Sequence, residues 1–103
     1  MKAYVRIDRA AHVVETLQRA RVPGLTAYVV HGISGETLPS YHGLCPFEPS
    51  TLHGSVKTEV VCEQGLVDGI IGTVAAAAKT GYPGDGIINV EDVEKMVRIR
   101  EVT

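Results

Sequence analysis

The sequence predicts an α+β fold in which two β-α-β units share one antiparallel sheet, with both helices on the same face. Three observations carry this reading. The chain of 103 residues fits one compact domain, and with 45% hydrophobic and 21% charged residues it is ordinary globular material. Hydropathy switches between a period of two and a helical period twice along the chain. The two halves are joined by a stretch, Ser34–Gly54, that has neither period.

The first half opens with Lys2–Ile7, where Ala3, Val5 and Ile7 alternate with Lys2, Tyr4 and Arg6, the pattern of a half-buried strand. Asp8 is placed to cap a helix in which Ala10, Val13, Val14 and Leu17 recur at helical spacing, and Pro23-Gly24 stops it. Leu25–Ile33 is rich in β-branched and aromatic residues and reads as the second strand.

Ser34–Gly54 holds three of the five prolines, and a long aperiodic insertion in a small domain is usually functional or mobile. The second half then repeats the pattern. Ser55–Cys62 alternates, Leu66–Lys79 carries Val67, Ile70, Ile71, Val74, Ala77 and Ala78 at helical spacing, and Thr80–Gly86 is a glycine-rich turn. Ile87–Val90 is expected as a short strand, Glu91–Lys95 as one helical turn and Met96–Ile99 as an appended strand. The doubled unit is the ferredoxin-like arrangement.

Composition excludes several functions. A net charge of −2 lacks the clustered positive charge of a general nucleic-acid or anionic-membrane binder. Exposed aromatic pairs that would stack RNA bases are absent from the strands. The longest apolar stretch, Leu66–Ala78, is interrupted by Asp68, Gly69, Gly72 and Thr73, so no membrane span is expected. Two cysteines and no secretory-type leader point to a cytoplasmic protein without a disulfide framework.

Chemistry concentrates in two pieces, Thr80–Gly86 (TGYPGDG) and Val97–Arg100 (VRIR). Glycines let backbone N–H groups approach a phosphate closely, and two arginines two residues apart on a strand share a face and can clamp the same anion. Their bland counterparts are a helix stop with a tight turn and a solvated edge strand. A third group, His42, Cys45 and His53, with His31 nearby, offers soft ligands, but the spacing matches no standard metal motif and reads first as polar loop residues. Cys62 reads as a small buried hydrophobe. A Cys45–His42 nucleophilic pair lacks an orienting third group, and no catalysis is expected.

These segments resemble the P-II nitrogen-regulatory signal-transduction proteins, whose B-loop reads T-G-x-x-G-D-G-K-I and whose C-terminal loop reads V-R-I-R-T. Here they stand as TGYPGDGII and VRIRE. Pro23-Gly24-Leu25-Thr26, Gly32 and Val56–Val61 fall in the same register, so the likeness covers nearly the whole chain. It implies a homotrimer that binds adenine nucleotide (ADP, AMP or ATP) in clefts between subunits and addresses a transporter or metabolic enzyme through a long T-loop, residues 34–54. It also implies phosphate contacts at Gly84, Asp85 and Gly86, with Arg98 and Arg100 from the adjoining subunit, and adenosine beside Thr26, Glu59 and Val61.

Departures from the family pattern bear on the ligand. Ile87 replaces the lysine after G-D-G, removing a charge-assisted hydrogen bond of roughly 1.5–3 kcal/mol. Ser34-Gly35-Glu36 replaces Gly-Arg-Gln at the T-loop start, and Glu36 cannot donate as Gln does, which argues against 2-oxoglutarate sensing in the usual manner. Glu48 stands where some members carry a modified tyrosine, and Tyr41 is the only tyrosine in the loop. The alternative reading is a regulator that senses a metal or small anion through His42, Cys45 and His53.

Overall fold

The structure is a computed structural model that describes residues 1–33 and 52–103, with only the backbone described for Ile33, Leu52 and His53. Strand β1 (Lys2–Arg6) leads directly into helix α1 (Ile7–Arg19). Strand β2 (Leu25–Ile33), strand β3 (Leu52–Val60), helix α2 (Val67–Ala78) and strand β4 (Gly86–Asn89) follow. The sheet order is β2-β3-β1-β4 and every neighbouring pair is antiparallel. Each β-α-β unit is therefore split by a strand of the other, which is the ferredoxin-like topology expected from the sequence.

Alternation decides which face of the sheet the helices cover. Ala3 and Val5 of β1 and Val56, Thr58 and Val60 of β3 point into the helix layer, where Val13 and Leu17 of α1 and Ile70, Val74, Ala77 and Ala78 of α2 complete the core. Thr58 is the one buried polar side chain among the described residues, and it is satisfied by donating its hydroxyl to the Ala3 carbonyl at 3.3 Å. The opposite face carries Lys2, Tyr4, Arg6, Lys57 and Glu59, and among the described residues no helix covers it.

Several boundaries differ from the sequence reading. Ile7 begins α1 instead of ending β1, and Arg6 occupies the cap position without a side-chain cap. Asp8 sits in the first turn, where its charge favours the helix N-terminus, and accepts from Arg6 Nε at 3.2 Å. β3 starts at Leu52, three residues inside the segment read as loop, because Ile33, Gly32 and His31 of β2 supply a continuing ladder for Leu52, His53 and Gly54. The second helix, expected over Leu66–Lys79, runs from Val67 to Ala78, and Leu66 closes a 3₁₀ turn, Gln64–Leu66, ahead of it.

The larger correction lies at the C-terminus. Glu91–Lys95 forms no helical turn and Met96–Ile99 forms no strand. Five residues cannot offset the cost of helix nucleation without packing, and alternation alone cannot make a strand without a ladder partner in the same chain. A 3₁₀ turn at Ile99–Glu101 is the only regular element in the tail, closed by the Glu101 amide on the Arg98 carbonyl at 2.9 Å. The tail is tied to the sheet by an exposed ion pair from Lys2 Nζ to Glu91 at 3.3 Å.

Candidate functional site

The glycine loop between α2 and β4 is built by its own side chains. Asp85 accepts the Thr80 amide at 2.9 Å, the Gly81 amide at 3.3 Å and the Thr80 hydroxyl, while the Tyr82 amide donates to that hydroxyl oxygen at 3.2 Å. The Thr80 hydroxyl, then the Thr80 and Gly81 amides and the charge of Arg6, hold the Asp85 carboxyl below the usual aspartate range. An ionised Asp85 thus faces its own loop. Its oxygens are occupied by donors of the loop itself, and the Tyr82 side chain is exposed beside them.

Two glycines are required where they stand. Gly84 has φ +91°, a left-handed conformation that closes the turn. Gly86 has φ +121°, and a side chain there would overlap the Tyr4 carbonyl, so the loop enters β4 in direct backbone contact with β1. Ile87, directly after it, pairs with Tyr4 and is 61% exposed. Beside the loop a groove of about 350 Å³ opens between β4 and the end of α2, walled by Val5, Val74, Ala78 and Ile88, with Lys79 and Asp85 on its border.

The expected adenosine residues lie elsewhere. Thr26 and Glu59 are direct partners across β2 and β3. Val61 follows the end of β3 and lines a separate groove of about 660 Å³ with half-buried Cys62 and the tail residues from Val90 to Met96. Because β3 and β1 separate β2 from β4, Thr26 is three strand spacings, about 14 Å, from the strand that Gly86 begins. A single chain therefore does not bring Thr26 together with Gly84, Asp85 and Gly86.

Glu59 belongs to a cluster on the helix-free face that sequence reading did not identify. It accepts from Tyr28 Oη at 2.8 Å and pairs with Lys57 Nζ at 3.1 Å, and that ammonium lies 5.5 Å and 5.3 Å from the ring centroids of Tyr4 and Tyr28. Tyr28 foremost, with Lys57 second, lowers the Glu59 carboxyl; Tyr28, Glu59 and Tyr4 together raise the Lys57 ammonium above the usual lysine range. The signal was available as Tyr4, Lys57 and Tyr28 in one alternation phase, but only the register Tyr4↔Lys57↔Tyr28 joins them.

Arg98 and Arg100 do not share a strand face. Arg98 is extended and Arg100 lies within the 3₁₀ turn, where residues two apart point in different directions. Both are exposed, and neither forms an ion pair within the described residues. Of the proposed soft ligands, His42 and Cys45 lie outside the described residues, as do Ser34, Gly35, Glu36, Tyr41 and Glu48. His53 pairs by backbone with Gly32, and His31 is exposed on β2. Among the described residues there is no group of three His, Cys, Asp or Glu arranged for a metal, and no helix is long and apolar enough to cross a membrane.

A split β-α-β sandwich with a glycine loop ahead of its edge strand is a common scaffold, so comparison with known proteins decides the family. The family model described as Nitrogen regulatory protein P-II matches residues 1–103. A P-II protein of Microchaete diplosiphon is 34% identical over 103 residues, and one of Mesorhizobium japonicum is 35% identical over 106 residues. Each comparison covers 97% of this chain and 89% of the relative. A P-II homolog of Arabidopsis thaliana is 31% identical over 101 residues, and there the chain spans only about half, 52%, of the relative's length. The chain belongs to the P-II family of nitrogen regulatory proteins.

Proposed function

We propose that this chain is a non-catalytic P-II-like signalling protein of the cytoplasm. It acts as a homotrimer that binds an adenine nucleotide in clefts between copies and regulates a transporter or metabolic enzyme through residues 34–54. The observation that carries the reading is that the expected ligand residues are divided across one sheet, with Thr26 on the β2 edge and the glycine loop at the β4 edge. Thr26 and Glu59 on β2 and β3 form a complete site with Gly84, Asp85 and Gly86 only when a second copy supplies the missing half. In such a cleft the phosphates meet backbone N–H groups of the loop, with Asp85 holding the loop in shape, and Arg98 and Arg100 of the exposed tail reach across from the neighbouring copy. The apolar residues of that tail, including Ile99 at 91% exposure, are then covered by the assembly.

Because Ile87 adds no charge at the loop, ADP and AMP are expected to compete well with ATP. Sedimentation at micromolar protein should report three protomers, and isothermal titration with AMP, ADP and ATP, with and without magnesium, should give saturable heats without hydrolysis. A stable monomer, or no heat with any adenine nucleotide at millimolar concentration, overturns the reading.

A further inference from the structure

The groove beside the glycine loop has an apolar wall and, among its lining residues, only two charges, Lys79 and Asp85. Asp85 is committed to Thr80 and Gly81. Lys79 is exposed and has no ion-pair partner within 4 Å among the described residues. Its position one residue past α2 would ordinarily be explained by the helix C-terminus, which attracts cations. Here that role is filled from outside, because Arg9 Nε of α1 donates to the Ala77 carbonyl at 3.1 Å. Arg6, whose charge acts on Asp85, is engaged with Asp8 at 3.2 Å. One uncommitted ammonium thus borders an apolar groove, immediately before a loop whose conformation is fixed by Asp85.

We propose that Lys79 is the cation that holds the phosphate chain of the ligand at this loop. The inference rests on the nucleotide reading above and adds a specificity residue to it. Position 87, the strand-side neighbour of the loop, contributes an apolar side chain, so charge recognition within this chain comes from the helix side. Dependence on Lys79 should grow with the charge of the ligand, because each added phosphoryl group adds negative charge for the ammonium to neutralise.

Isothermal titration of the wild type, Lys79→Gln, Lys79→Arg and Lys79→Gln/Ile87→Lys with AMP, ADP, ATP and inorganic tripolyphosphate tests this, with Arg21→Gln as a charge-matched control. The expected result is a loss of about tenfold or more for ATP and tripolyphosphate in Lys79→Gln, a smaller loss for AMP, retention in Lys79→Arg, and partial recovery when Ile87→Lys is added. Wild-type binding left unchanged by Lys79→Gln, or reduced equally by Arg21→Gln, overturns the role of Lys79 while the nucleotide reading stands. A wild-type protein silent toward all four ligands overturns both.

Discussion

The Asp85 carboxylate accepts the backbone amide of Thr80 at 2.9 Å as well as the Thr80 side chain, so the first and sixth residues of the TGYPGDG loop are latched to one another. A carboxylate in a glycine loop proposed to meet phosphate looks unfavourable in the sequence. In the folded loop its charge is directed to three donors inside the turn, the Thr80 amide and hydroxyl and the Gly81 amide.

Asp85→Ala should free the Thr80 and Gly81 amides and loosen the loop, whereas Asp85→Asn, which keeps one acceptor oxygen, should do so less. Hydrogen exchange at Thr80 and Gly81 reports this directly, and equal protection in wild type and Asp85→Ala would show that the latch is dispensable. The Asp85 carboxyl is lowered in the folded state. Its contribution is therefore present above the usual aspartate value near 3.9 and fades as pH falls through the lower folded value, so the loop should open in acid below about pH 4.

Tyr28→Phe should raise the Glu59 carboxyl back toward the ordinary glutamate range, because the Tyr28 hydroxyl is the first cause of its depression. Carboxyl NMR titration measures the change, and an identical midpoint in the variant contradicts the assignment. The full contribution of the pair is present between the ordinary glutamate and lysine values, about 4 and about 10, and is lost beyond them, as pH falls through the lowered Glu59 value or rises through the raised Lys57 value.

Replacing Gly86 by alanine should destabilise the chain by about 1–3 kcal/mol from its positive φ, with a further cost from overlap with the Tyr4 carbonyl. The expected readouts are a lower urea midpoint and faster amide exchange across β4. Gly84→Ala has open space for its methyl group and should show only the cost of its φ.

Leu17→Ala should cost about 2–5 kcal/mol, since Leu17 is fully buried among α1, α2 and the sheet, where a cavity cannot collapse easily. Thermal unfolding followed by circular dichroism measures it. Ile7→Ala, at a position 54% exposed on the same helix, should change stability far less.

The order of strands and helices, the helix-facing residues Ala3, Val5, Val13, Leu17, Ile70 and Val74, and the glycine loop were all legible in the sequence. Periodicity and glycine placement are local consequences of burial on one face and of backbone sterics, and they survive into the fold. Ile7 and Met96–Ile99 were misassigned for one shared reason: alternation shows that a segment could be a strand, while a strand exists only where a neighbour supplies its ladder. That neighbour is set by tertiary structure, which ended β1 at Arg6, extended β3 back to Leu52 and left the tail unpaired. The same holds for the chemistry. The sequence determined that Asp85, Glu59, Thr26 and Arg9 are present, and the Asp85 latch to Thr80 and Gly81 is local to the loop; only the tertiary structure decided that Arg9 of α1 donates to the Ala77 carbonyl of α2, that Tyr28 and Lys57 meet at Glu59, and that Thr26 and Gly86 stand on opposite edge strands, because those relations depend on contacts between residues far apart in the chain.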